Sequence, residues 1–365
     1  MKKRNLVLVL GMTMAMALTA CGGSEKAAET TKAAPAETKA EETKAEATET
    51  KEAAAPAGEV IELKLSNNQP DGNCTTIAVE WFADQVRERT NGRVDIKVYN
   101  NGTLGDAISC LEQAQYGGMD IIKADLSTMT NFVGEYNALM MPYIYKDTQH
   151  FWDVHGGDIG MGILRGDKMK EKKLYGLTYY DGGTRCFYNT KKEIHTPEDM
   201  KGMLVRVQQS ELMMSMVEAL GGQSVATAYS EVYSALQTGV VDAAENSIVN
   251  FLDQSHYEVA PYLAEDHHTR SADILVMSEL TRAKLSEEDL KIIDETALES
   301  WEYQKELWAE AEDKSKAELL EKGAIITELS ADELAAFQAA CEPIWYSYEG
   351  GAYKELIDQI VEAGK

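Results

Sequence analysis

Two arginines stand where strand residues should be apolar. Arg206 sits within Met203-Leu204-Val205-Arg206-Val207, and Arg185 within Gly182-Gly183-Thr184-Arg185-Cys186-Phe187-Tyr188. A guanidinium in such a strand must find a partner or stay wet, because burying it alone is costly. Its planar fork fits a carboxylate bidentately, so the carboxylate of a ligand is one candidate partner. An internal salt bridge or a solvent-facing strand position fits the same residues. Asn246 ends the stretch Val240-Val241-Asp242-Ala243-Ala244-Glu245-Asn246, where on its own it is more often a turn residue than a ligand contact. Lys123 and Asp125 are two apart at the end of an apolar run and therefore share one strand face. A solvated strand end is the more ordinary reading of them.

Catalytic patterns are missing from the sequence. It contains no G-x-S-x-G, no H-E-x-x-H, no P-loop and no dinucleotide fingerprint. Of the six histidines only His267 and His268 are adjacent, which reads as capping or hydrogen bonding at a crossover between lobes. No cysteine pair or Cys/His pair has zinc-ligand spacing, so neither a metal nor another cofactor is expected. Beyond Cys21 there are Cys74, Cys110, Cys186 and Cys341, expected as free and mostly buried thiols. With 61 acidic and 35 basic residues the formal charge is −26, which argues against nucleic acid, whose phosphates demand a basic face. A small anion must then be gripped by positive groups sheltered in a cleft, because the overall field repels it.

The elements that would hold these residues alternate. Residues 61–65 and 93–99 read as strands, 75–90 and 108–116 as helices, and 119–124 as a third strand. The second half repeats the idiom, with strands at 174–180, 185–188 and 204–207, helices at 210–220 and 230–238, and a crossing strand within 267–277. Strand and helix in this order predict α/β layering. Ser286-Glu287-Glu288-Asp289 supplies a helix N-cap followed by first-turn acids. The helical pattern then runs to Gly323, about 50 Å at 1.5 Å per residue. Such a helix is long enough to brace two lobes.

The first 58 residues read differently. Lys2, Lys3 and Arg4 precede an apolar run of about 13 residues, too short for a good membrane span. Leu18-Thr19-Ala20-Cys21 follows, the cleavage pattern of an export signal with a cysteine that would carry lipid. Residues 22–58 are built from Ala, Glu, Thr and Lys without an aromatic, and predict a disordered tether.

Residues 196–207 (Thr-Pro-Glu-Asp-Met-Lys-Gly-Met-Leu-Val-Arg-Val), with residues 229–242 and Glu245-Asn246, resemble the core of the DctP-type receptors of tripartite ATP-independent periplasmic (TRAP) transporters. The resemblance extends from about residue 61 to the C-terminus. It implies an α/β two-lobed periplasmic-binding-protein clamshell with a long helix spanning both lobes. The expected division is a signal peptide at 1–20, a tether at 21–58, lobe I at 59–182 plus 271–305, and lobe II at 183–270 plus 306–365. It further implies that Arg206 grips a ligand carboxylate, that Arg185 assists and that Asn246 bonds the ligand. Asn68, Gln209, Tyr229 and Asp125, with Lys123, complete the expected site. Asp181, in Tyr179-Tyr180-Asp181-Gly182-Gly183-Thr184-Arg185, joins the groups expected to bind hydroxyls. The family's usual proline after the Arg-Val pair is here Gln208. The implied function is a monomeric, lipid-anchored extracytoplasmic receptor that passes a small organic acid to small and large permease subunits. A hexuronate or other sugar acid is the expected ligand. A C4-dicarboxylate, a 2-oxo acid, or a sensing role for a signalling ectodomain are the alternatives.

Overall fold

The computed structural model describes residues 59–365; the expected signal peptide, the tether and Cys21 lie outside the described residues. Nine strands among them form one mixed sheet. In chain order they are β1 (Ile61–Ser66), β2 (Val94–Tyr99), β3 (Ile121–Asp125), β4 (Leu174–Asn189), β5 (Leu204–Val207), β6 (Gln223–Ala226), β7 (Ala243–Ser247), β8 (Tyr262–Ser278) and β9 (Ile325–Thr327). Across the sheet the order is β2-β1-β3-β8-β4-β7-β5-β6, with β9 beside β8. β4 and β8 are long enough to serve both halves. β3 pairs with the C-terminal part of β8, from Ile121 opposite Met277 to Asp125 opposite Asp273, whereas β7 pairs with the C-terminal part of β4. The β4–β8 register slips between Asp181 and Gly183, where the chain passes from one half to the other. The two strands read separately at 174–180 and 185–188 are therefore one, because Asp181-Gly182-Gly183-Thr184 continues the ladder instead of turning.

Gly183 is required at that slip. Its φ is +79°, and an added Cβ would stand 2.6 Å from the Trp308 ring and 2.8 Å from Ser247 Cβ. Trp308 belongs to the long helix Glu287–Glu321, a single helix of 35 residues. Ser286 caps it by accepting the Asp289 N–H at 3.1 Å, and acids fill its first turn, complementing the helix dipole. Ile293, Ala297, Ser300, Trp301, Gln304 and Trp308 recur at three- and four-residue spacing and are buried. This stripe packs on the helix Cys74–Arg89, on β4 and on the helix Ile248–Asp253, elements of both halves. Gln304 fastens it to the crossover: its Oε1 accepts the Asp181 N–H at 2.7 Å and its Nε2 donates to the Asp181 carbonyl at 2.9 Å.

The C-terminal stretch departs from the expected division. That division places all of residues 306–365 in lobe II. The helix Ala331–Cys341 does pack on β8 and on the helix Glu211–Ala219, but Lys354–Ala363 packs on the helices Tyr136–Leu139, Thr148–Gly156 and Asp158–Leu164. Ile357 and Ile360 are fully buried there, and the His150 ring is 2.7 Å from the Ile360 carbonyl. An amphipathic helix declares that it has a face to bury, but not which surface receives it. The described cysteines, Cys74, Cys110, Cys186 and Cys341, are free and buried.

Candidate ligand-binding site

β1 runs parallel to β2 and β3, and β5 runs parallel to β6 and β7. The C-terminal ends of these strands open on one cavity of about 320 Å³. A crevice outside the carboxyl ends of strands, where chain order reverses, is where open α/β sheets bind ligands. The volume lies at the small-molecule end of the usual range. β1 is followed by Asn68 and Gln69, β3 ends on Lys123 and Asp125, the crossover supplies Gly182 and Arg185, β5 supplies Arg206, Gln208 and Gln209, and β7 supplies Asn246; all line the cavity. Tyr229 enters from the short 3₁₀ turn Tyr229–Glu231. The eight ligand-site residues expected from sequence are thus brought together around one space.

Their electrostatics differ. Arg185 is buried and already neutralised. Its Nε and Nη2 donate to the Glu245 carboxylate, Nη2 also donates to the Glu245 carbonyl at 3.0 Å, and Nη1 donates to Asn246 Oδ1 at 2.9 Å. Burial pushes the Glu245 carboxyl up, but Arg185 and His268 overcome that and hold it at about 2. Arg206 is only 3% exposed, and its described partner is the Thr227 carbonyl, reached from Nε at 3.1 Å and from Nη2 at 2.6 Å. No carboxylate among the described residues forms an ion pair with it. Burial accordingly draws its pKa below the ordinary arginine value. One guanidinium is balanced by the protein; the other is a buried charge facing a cavity.

The remaining groups supply directional hydrogen bonding. Asn246 Oδ1 faces the donors Arg185 Nη1 and Ser247 N. Asn68 Oδ1, Gln69 Oε1 and the Thr227 and Tyr229 hydroxyls are buried without a protein partner. Buried polar atoms are rarely left so, and four around one cavity mark it as a place for a polar ligand. Lys123 is not a solvated strand end. It is 2% exposed, and its Nζ is 2.7 Å from Asp273 Oδ2. Asp125 is half-buried and caps the turn after β3, accepting from Thr128 N at 2.9 Å and Thr128 Oγ1 at 2.8 Å. Among the described residues no cluster of His, Cys, Asp or Glu is arranged to hold a metal ion, and no helix is long and apolar enough to cross a membrane.

Residues 65–350 match the family model described as bacterial extracellular solute-binding protein, family 7 (DctP). The chain belongs to this family. A solute-binding protein of Chromohalobacter salexigens is 33% identical over 325 residues, covering 86% of this chain and 96% of that protein. A TRAP periplasmic solute-binding protein from the same organism, solved with bound D-glucuronate, superposes with a TM-score of 0.78 at 34% identity, over 82% of this chain and 99% of that one. A Bradyrhizobium TRAP protein in complex with α/β-D-galacturonate gives 0.79 at 32% identity, with the same coverage.

Within this DctP-family fold one expected contact is displaced. Asp181 does not line the cavity. It is 3% exposed, its Oδ1 accepts from Gly183 N at 2.8 Å, and its Oδ2 is paired with Arg270. Burial pushes it up to about 6 despite Arg270. Its role is to hold the crossover, a use of carboxylate that sequence cannot tell from ligand binding. Conversely, Glu245 enters the sequence reading only as part of the family pattern and not as a site residue, although a carboxylate following Ala243-Ala244 in a strand is as costly to bury as Arg206 in its own. Gln208, at the family's usual proline, completes the same cluster. With the amide placed so that both groups are satisfied, its nitrogen donates to Glu245 Oε1 at 2.7 Å and its oxygen accepts from Arg185 Nη2 at 2.6 Å.

Proposed function

We propose that this chain is the extracytoplasmic receptor of a TRAP transporter and that it captures a hexuronate. The observation that carries the reading is Arg206, a buried guanidinium facing the cavity without a carboxylate partner. A ligand carboxylate would supply the missing charge, with Arg185 and Asn246 already set beside it. Asn68, Gln209, Tyr229, Asp125 and Lys123 would then meet the ring hydroxyls. Glucuronate and galacturonate in the similar solved proteins support a sugar acid over a dicarboxylate. In this reading the chain binds and releases its ligand unchanged, so it is not an enzyme. Lobe closure about the β4–β8 crossover excludes water and strengthens the charge pair. Small and large permease subunits receive the ligand, and a monomeric receptor is held to the membrane by lipid on Cys21.

Calorimetry tests the ligand. One site is expected, with D-glucuronate or D-galacturonate preferred over succinate. Tighter succinate binding overturns the sugar acid while leaving the receptor role intact.

A further inference from the structure

Behind the Arg185–Glu245 pair lies a buried group that ligand contact does not explain. The His268 ring is fully buried between two carboxylates. Nδ1 is 2.8 Å from Asp266 Oδ2 and Nε2 is 3.4 Å from Glu245 Oε2. Asp266 is itself fixed, because its Oδ1 accepts the Phe187 N–H at 2.9 Å. The ring stacks on Phe187 with centroids 4.3 Å apart. A neutral imidazole donates from one nitrogen and presents a lone pair at the other. Only the imidazolium donates to both carboxylates.

We propose that His268 is a positioning residue for ligand capture: as an imidazolium bridging Asp266 to Glu245, it fixes the carboxylate that aims Arg185 into the cleft and cancels its surplus negative charge. The proposal rests on the reading of the cleft as an anion site. Asp266, His268, Glu245 and Arg185 then sum to zero, Lys123 and Asp273 cancel, and Arg206 is the unpaired cation that the ligand meets in a cleft that the Asp125 carboxylate also lines. With a neutral His268 the same four groups sum to minus one. The positive field at the cleft is weakened, and one lone pair is turned on a carboxylate.

The groups facing the ring set the pH range. Asp266 lies on its own strand, Glu245 on β7 with Arg185 beyond it, and Tyr143 reaches Asp266 from the adjoining loop. Cys186 of β4 and Cys341 of the helix Ala331–Cys341 also lie near Asp266. Burial pushes Tyr143, Cys186 and Cys341 upward, Cys341 to about 12. Burial works to lower His268, but Asp266 and Glu245 outweigh it and raise it to about 9. The folded value thus exceeds the ordinary value of 6.5. The stabilisation is complete below that ordinary value and is lost as pH rises through about 9.

The test is the Kd of D-glucuronate between about pH 6 and 10, for the wild type and His268→Gln, with melting temperatures alongside. The ligand carboxylate is ionised throughout. Members of one buried network couple strongly enough that His268→Gln should bind about tenfold more weakly at pH 7. Wild-type Kd should weaken by a similar factor as pH passes about 9, with proton uptake on binding there, and the variant should show neither effect. A variant with wild-type Kd overturns the proposal. So does a wild-type Kd that stays flat while the melting temperature falls, since His268 then serves stability alone. If the variant does not fold, the wild-type pH series decides by itself. Arg206→Ala separates the two readings. If it binds glucuronate normally the anion site itself is wrong, whereas if it fails to bind and the His268 results are flat, only the role of His268 is wrong.

Discussion

Removing the Arg206 guanidinium should cost affinity and little else. In Arg206→Ala the Thr227 carbonyl loses two hydrogen bonds, but a buried charge without a counter-ion is also removed. These changes oppose each other, so stability without ligand should move by no more than about 1–2 kcal/mol. Binding is different. A carboxylate and a guanidinium about 4 Å apart attract by about 4 kcal/mol at the effective dielectric of a partly screened site. Truncating one partner of a buried charge pair costs about 2–5 kcal/mol, roughly 30-fold to several thousand-fold in Kd. Arg206→Lys should recover only part of this, because a point charge cannot make the fork. The assay is a glucuronate titration and a ligand-free melting curve on the same preparations. Intact affinity with a collapsed melting temperature would refute the reasoning, since it would make Arg206 a structural residue and leave the cleft without its clamp.

Arg185→Ala should weaken binding and also lose about 3–5 kcal/mol of ligand-free stability in a denaturant titration, because Glu245 is left as a buried, half-paired charge. The double variant Arg185→Met/Glu245→Leu should recover much of that loss without recovering binding. Gly183→Ala should destabilise by about 2–5 kcal/mol, since the left-handed backbone penalises a Cβ and Trp308 and Ser247 already fill its place; a melting temperature within a degree of wild type would show that the crossover yields. Cys21→Ala should release the protein from the membrane fraction in a carbonate wash, and its retention there would exclude a lipid anchor on that thiol.

The layered order was legible because it is written in short-range pattern. Leu63 and Leu65 alternate with exposed neighbours, and Val79, Phe82, Ala83 and Val86 mark one helix face. The long helix announced itself through Ser286, the acids behind it and Gly323 at its end. The site was legible for a different reason. A charged residue in an apolar strand is expensive, so Arg185 and Arg206 stood out, but it was the family resemblance that favoured a ligand over an internal ion pair and that added Asn68, Gln209 and Tyr229. What that reasoning could not do was assign partners. Lys123 with Asp273 and Asp181 with Arg270 join residues 150 and 89 apart. Such pairings are set by the β3–β8 and β4–β8 registers, which depend on the whole sheet. The helices within residues 126–171 passed unread too, being short, some of only four or five residues. A stripe needs more turns than that to be seen.

The contrast between the two arginines also bears on how such a cleft remains stable before it meets its ligand. An acidic chain of formal charge −26 gains by gathering cations where an anion must enter, yet two neighbouring bare guanidiniums would repel each other and resist burial. The sequence resolves this by giving the pair unequal surroundings. Glu245, Gln208 and the Asp266–His268 pair turn Arg185 into a rigid, neutral fixture, so it contributes shape and hydrogen bonds at no net charge. Arg206 is left with a backbone carbonyl alone, so it contributes the charge. With the roles so divided, adding a carboxylate beside Arg206 should silence the site without unfolding it. Thr227→Glu does so directly: Thr227 lines the cavity and its carbonyl already contacts Arg206. The variant should melt at or above the wild-type temperature and bind glucuronate at least about a hundredfold more weakly, because the internal carboxylate competes at an effective concentration the free ligand cannot match. Retention of wild-type affinity would mean that the Arg206 charge is not what the ligand meets.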